Sequence, residues 1–142
     1  MLHDTRSTLS KRERIVSRKL IETLFGGGRS QSMVAFPLRV VYMIQERTAN
    51  EPPVQLLVSV PKKHFKHAVD RNRVKRQVRE AFRLHKQTLH DALPPTSQLL
   101  LAVVWLSDSH SPSVTVERRV VGLMQRLAEK IRVKSDIMHY AL

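Results

Sequence analysis

Residues 71–83 read RNRVKRQVREAFR. At about 100° per residue, the turn of an α-helix, this stretch separates into two faces. Val74, Val78, Ala81, Phe82 and, further on, Leu89 gather on one side. Asn72, Lys75, Arg76, Arg79, Arg83 and Lys86 gather on the other, with Arg73 between the faces and Arg71 in the first turn near the apolar side. A helix of this kind docks its apolar stripe on a core and turns its other face outward. Charged faces ordinarily mix signs, with an acid four residues before a base. Here Lys75, Arg79 and Arg83 stack like charges at that spacing, and Glu80 is the one nearby acid. Each such pair costs roughly a few tenths of a kcal/mol, a cost that a polyanion against the stripe removes. The stretch therefore predicts a packed domain with a nucleic-acid-binding face.

Composition points the same way. The chain has 142 residues, 42% of them hydrophobic, which suits one folded domain with a real core. Twenty-five Lys and Arg against twelve Asp and Glu leave a net charge of +13. That imbalance is an argument about partners, and it favours phosphate backbones over a membrane surface. Without cysteine there are no disulfides, thiolate metal sites or cysteine nucleophiles. The start, MLHDTRSTLSKRER, lacks the apolar segment of a signal peptide. No apolar run approaches the roughly 18 residues of a membrane span. A cytoplasmic protein with no membrane partner and no obligate protein partner is the expectation.

Working outward from the helix, residues 54–60 form an apolar strand closed by Pro61, and residues 62–67 (KKHFKH) cross into the helix. The helix is expected over residues 68–92, stopped by Pro94 and Pro95. Residues 97–106 (SQLLLAVVWL) are a further strand, and residues 107–113 a polar loop. Val116, Val120, Leu123, Met124, Leu127 and Ile131 then recur at helical spacing, with Arg118, Arg119, Arg126 and Lys130 on the opposite side. Upstream, Ser17 is a candidate N-cap for a short helix carrying Leu20, Ile21, Leu24 and Phe25, ended by three glycines. From periodicity alone, Ile21 and Phe25 both read as core. Residues 33–45 alternate as one long strand, with Phe36, Leu38, Val40, Tyr42 and Ile44 on its buried face and Pro37 marking an edge or bulge. The loop ERTANEPP makes the next strand antiparallel to it, and that strand's apolar content suggests a central position.

The expected class is α+β: a single domain with a small mixed sheet and packed helices in the order α-β-β-α-β-α. Strand, long helix and strand make a βαβ unit with parallel pairing. Residues 1–10 read as a loose arm, residues 11–132 as the domain and residues 133–142 as a tail.

Only His64, His67 and Asp70 resemble a metal or acid–base site. Lys62, Lys63, Lys66 and Arg71 crowd them, repel a divalent cation and offer no third ligand. Acid–base chemistry by the two histidines needs a partner that the sequence does not fix. The residues thus show a binding surface and no catalytic or metal set.

Residues 59–83, SVPKKHFKHAVDRNRVKRQVREAFR, resemble the signature of the protein subunit of bacterial ribonuclease P. In that family a strand ends in a Lys-Lys pair, and a short loop leads to Arg-Asn-Arg-x-x-Lys-Arg-x-x-Arg-Glu-x-Phe on a long helix. Arg71, Asn72, Arg73, Lys75, Arg76, Arg79, Glu80 and Phe82 fall on the pattern. Weaker similarity runs through Arg14-Ile15, the helix ending in Phe25, Phe36, and the final strand and helix. The resemblance implies a left-handed βαβ crossover, against the usual rule. It implies that Lys62, Lys63, Arg71, Asn72, Arg73, Lys75, Arg76, Arg79 and Arg83 bind a catalytic RNA subunit. It further implies a groove at Ile21, Phe25 and Arg39 for the 5′ leader of precursor tRNA, and hydrolysis by magnesium ions held mainly by the RNA. Three departures stand out: Ile21 replaces a usual phenylalanine, Leu57 replaces a common glycine, and residues 106–110 lack the basic residues that often follow the third strand. A ribosomal-protein-like RNA binder and a protein-only nuclease are the alternatives.

Overall fold

The computed structural model of the chain describes residues 9–141 except Gly27 and Ala49, with side chains through Lys134. Its strands are β1 (Gln31–Ala35), β2 (Leu38–Glu46), β3 (Val54–Ser59) and β4 (Ser97–Trp105), forming one sheet in the spatial order β1-β2-β4-β3. Its helices are α1 (Arg18–Gly26), α2 (Ala68–His85), α3 (Gln87–Ala92) and α4 (Ser113–Ala141), preceded by a 3-10 turn at Lys11–Glu13. The α+β class and the order of helices and strands agree with the sequence reading, with one expected strand resolved into two.

That strand divides at Pro37. A proline has no N–H for the ladder, and the Phe36–Pro37 peptide, which is cis, forms the turn of a hairpin. β1 folds back on β2 with Ala35 opposite Leu38 and Gln31 opposite Tyr42. Phe36, expected in the core, stands at the hairpin tip and is 63% exposed. Leu38, Val40 and Tyr42 are buried as expected.

β3 is not central. It pairs only with β4, in parallel, and β4 lies between it and β2. Its apolar run has another cause: the chain before α1 covers the open edge. The Ile15 N–H donates to the Leu56 carbonyl at 2.9 Å, and Arg14 bridges to Leu56. The expected parallel βαβ unit is present as β3, α2–α3 and β4.

Both faces of the central strands are buried, each in its own core. One face meets α2, α3 and α4 through Val74, Val78, Phe82, Leu89, Val120 and Leu127. The other meets α1 and the segment before it, through Ile15, Leu24, Val41, Met43, Leu100 and Ala102. Two cores explain why β4 is apolar at nearly every position: successive residues feed opposite layers. Ser17 caps α1 through a Leu20 N–H to Oγ bond of 3.3 Å.

The boundaries differ in three places. The long helix breaks at Lys86, so that α3 follows α2 as a separate short helix. The last helix continues through Ala141 rather than ending near residue 132, as its apolar spacing had suggested. The expected arm lies outside the described residues for positions 1–8, but Leu9 is buried in the larger core.

Candidate nucleic-acid interface

α2 places its faces as its periodicity requires. Val74, Val78, Ala81 and Phe82 are buried. Asn72, Arg73 and Arg76 are exposed, and Lys75, Arg79 and Arg83 are half-buried. A groove of about 840 Å³ is lined by Asn72, Arg73, Arg76, Arg79 and Arg83 together with Arg14 and Ser113. Lys75 is not among its lining residues.

Not every cation of the stripe is equally available. Arg71 closes the loop before α2, its Nη1 donating at 2.9 Å to the carbonyls of Phe65 and Lys66. Arg83 pairs with Glu80, Nη2 to Oε2 at 2.8 Å. Lys86 donates to Glu13 Oε2 at 2.9 Å and is turned inward. Arg79 behaves differently: burial first, and then the charge of Arg14, lowers the affinity of its guanidinium for its proton. Two like charges thus converge on one groove, where a phosphate would relieve the repulsion.

Arg14 is a residue that sequence reasoning did not bring to this site. The strand edge places it: the Arg14–Leu56 bridge fixes its backbone beside β3. No local spacing carries that information, since the bridge joins residues 14 and 56.

Lys62 and Lys63 are exposed in the turn after Pro61, where the His64 N–H returns to the Pro61 carbonyl at 3.1 Å. The neighbouring histidines do not form the cluster considered from sequence. His64 Nδ1 lies 2.7 Å from Asp108 Oδ1, whereas Asp70 Oδ1 lies 3.1 Å from His110 Nε2. Phe65 stacks on the His110 ring with centroids 4.4 Å apart. His67 is exposed at the helix N-terminus, with no capping bond from its side chain. The two His–Asp contacts tie the loop after β4 to the loop before α2 and to the first turn of α2. Among the described residues, no group of three or more His, Asp or Glu is placed to hold a metal ion.

The remaining candidates lie on the layer opposite α2. Ile21 packs half-buried against the smaller core, and Phe25 is 44% exposed near the end of α1. Arg39 is exposed on β2, on the face shared by Val41 and Met43. Its cross-strand neighbours are Val34 and Val104. Val34 is 52% exposed, and together with Arg39 it leaves a cationic and apolar patch open at one end of the sheet.

A cationic helix on a sheet covered on both faces, with Arg14 from the segment before α1 in the same groove, has the chemistry of an RNA-binding surface. The chain belongs to the ribonuclease P protein family, whose model matches residues 9–128. Two ribonuclease P protein components illustrate the similarity along most of their length. That of Porphyromonas gingivalis is 43% identical over 126 residues, covering 87% of this chain and 88% of the relative. That of Chlorobium phaeobacteroides is 34% identical over 134 residues, covering 89% and 90%. The fold matches the RNase P protein of Thermotoga maritima with a TM-score of 0.61 at 23% identity, over 80% of this chain and 96% of that one. The Staphylococcus aureus RNase P protein gives a TM-score of 0.62 at 18% identity, over 81% and 94%. The chain is thus a protein subunit of a ribonucleoprotein endoribonuclease, and its partner is RNA.

Proposed function

We propose that this chain docks on the catalytic RNA through the α2 groove and holds the 5′ leader of precursor tRNA along the α1 side of the sheet. The observation that carries this reading is the groove itself, where Arg14 and Arg79 crowd together beside Asn72, Arg73 and Arg76. Those guanidiniums suit phosphates and 2′-hydroxyls, which let a protein read A-form RNA by shape. A leader of variable sequence suits a different surface, with a cation and flat apolar walls. Phe25, Ile21 and Arg39 supply that chemistry on the opposite layer.

Magnesium does not fit the protein's own groove, whose lining arginines repel a divalent cation. In this reading the RNA holds the metal, and the chain binds and positions both RNAs in the cytoplasm. No helix among the described residues is long and apolar enough to cross a membrane.

Cleavage of precursor tRNA with and without ribonuclease P RNA tests the proposal. The expected result is no cleavage by the protein alone and enhanced cleavage when protein and RNA are combined. Cleavage by RNA-free protein that is lost in His64→Ala or His67→Ala would favour the nuclease reading. Equal affinity for precursor and mature tRNA would favour a structural RNA binder.

A further inference from the structure

A second basic cleft lies away from the α2 groove. It has a volume of about 830 Å³ and is lined by Arg29, Lys130 and Lys134, by Glu129, and by apolar residues that include Met43, Ile44 and Val133. It opens where the β1 ladder begins, at Gln31 opposite Tyr42. Beyond that point Met43 and Ile44 have β4 on one side and the cleft on the other.

The cleft terminates a stripe. On α4, Arg119, Arg126, Lys130 and Lys134 follow at intervals of seven, four and four residues. At about 100° per residue, they fall within roughly 80° of one another, over about 22 Å of helix. All four are exposed, as is Arg29. None of the five makes an ion pair among the described residues. Arg126 marks the side on which the stripe runs, its Nη1 lying 3.4 Å from the Val34 carbonyl oxygen of β1. A merely solvated face would carry acids at helical spacing to these cations. Here Glu129, three residues after Arg126, is the one acid at such a spacing to the four helix cations, and the one acid lining the cleft, against three cations.

We infer that this stripe and cleft form a second RNA-binding surface, which takes the phosphate backbone of the same RNA subunit that docks on α2. The inference rests on the RNA-subunit reading above. The cleft reaches the α1 side through Arg29 and Met43, but the stripe that leads to it decides which RNA: α4 packs with α2 and α3 over one sheet face, while α1 and the leader candidates lie over the other. The α2 groove includes Ser113 at the start of α4, and the cleft includes Lys134 towards its far end. One rigid helix thus spaces the two contacts by about 30 Å, at about 1.5 Å per residue.

The test is a salt series of binding to ribonuclease P RNA, using the full chain. The quadruple variant Arg29→Gln, Arg126→Gln, Lys130→Gln, Lys134→Gln should lose at least tenfold in affinity at low salt. Its log–log salt slope should flatten by roughly 0.7–0.9 for each phosphate contact removed. Arg118→Gln with Arg132→Gln removes exposed cations from the other flank of α4 and should keep a near wild-type slope. Should the quadruple variant fail to fold, Lys130→Glu alone is expected to weaken binding more than Lys130→Gln. An unchanged quadruple variant beside a weakened Arg76→Ala would overturn this surface while leaving the proposed function intact. Equal losses in the flank control would reduce the effect to net charge and also overturn it. A loss confined to the precursor-tRNA leader would overturn the choice of RNA. Unchanged binding in both the quadruple variant and Arg76→Ala would instead overturn the reading on which the inference rests.

Discussion

Glu13 and Lys86 tie the segment before α1 to the end of α2: the lysine Nζ donates to the glutamate Oε2 at 2.9 Å. Glu13 belongs to the turn just before Arg14, and Lys86 directly follows α2. Both side chains are largely buried, at 11% and 17% exposure. The Ser10 N–H adds a bond of 3.0 Å to Glu13 Oε1. The pair therefore fixes the segment that carries Arg14 against the helix that carries Arg79. A cation that the helical projection assigned to the outward cationic face is in fact part of the scaffold beneath it.

Glu13→Gln should lower stability at pH 7 by roughly 1.5–3 kcal/mol, the range for a hydrogen bond to a charged group. Burial raises the affinity of this carboxyl for its proton, but the Ser10 N–H and Lys86 outweigh it, and the net shift is below the ordinary 4.5. A depressed folded-state value means that the contribution is complete above the unfolded value and fades as pH falls through the folded one. Urea unfolding at stepped pH should show wild type and Glu13→Gln converging as pH falls from the ordinary carboxylate value of 4.5 through the lower folded one. A constant gap across that range would show that the pair is not the source.

Val78→Asp should unfold the domain, and Arg79→Ala should leave it folded. Val78 is 1% exposed, and an unpaired charge there costs several kcal/mol. Removing Arg79 relieves its repulsion with Arg14 while weakening RNA binding. Thermal melts of the two variants distinguish the faces: similar midpoints would mean that the helix is turned the other way.

Much of this was legible because helix periodicity is a local signal. The assignments of Val74, Val78, Ala81 and Phe82 to the core need only the spacing within α2, and the structure buries all four. The βαβ unit also follows from chain order. Strand neighbours do not: β3 reads like a central strand, because its covered edge leaves one face fully buried and the other half-buried. The hairpin at Pro37 was hidden for a related reason, since β1 and β2 share one alternating pattern across their turn. Pairings such as Glu13–Lys86 and His64–Asp108 join distant positions and have no periodic trace.

His110→Ala should cost about 1–2 kcal/mol, from its contact with Asp70 and its stack on Phe65. His67→Ala, at an exposed position, should be close to neutral in stability. Both variants should support cleavage when combined with the RNA subunit, because these contacts order loops rather than transfer protons. Chemical denaturation and single-turnover cleavage together test this. A folded His67→Ala variant that binds RNA but fails to support cleavage would assign chemistry to the protein.

Phe25 is the residue on which the leader groove most depends. At 44% exposure its ring is not a core side chain, although its spacing with Ile21 allowed that reading. Truncating a buried phenylalanine costs about 3–5 kcal/mol, so Phe25→Ala should lose clearly less. If a leader base stacks on the exposed ring, the variant should bind precursor tRNA more weakly by roughly 1–3 kcal/mol. Binding of mature tRNA and of the RNA subunit should stay close to wild type. Ile21→Phe provides the converse test, adding a second ring one helical turn away on the same side of α1. It should tighten precursor binding without changing mature tRNA binding. Equal losses of precursor and mature tRNA in Phe25→Ala, or a stability loss in the buried range, would remove the leader from this face and leave the α2 groove as its binding surface.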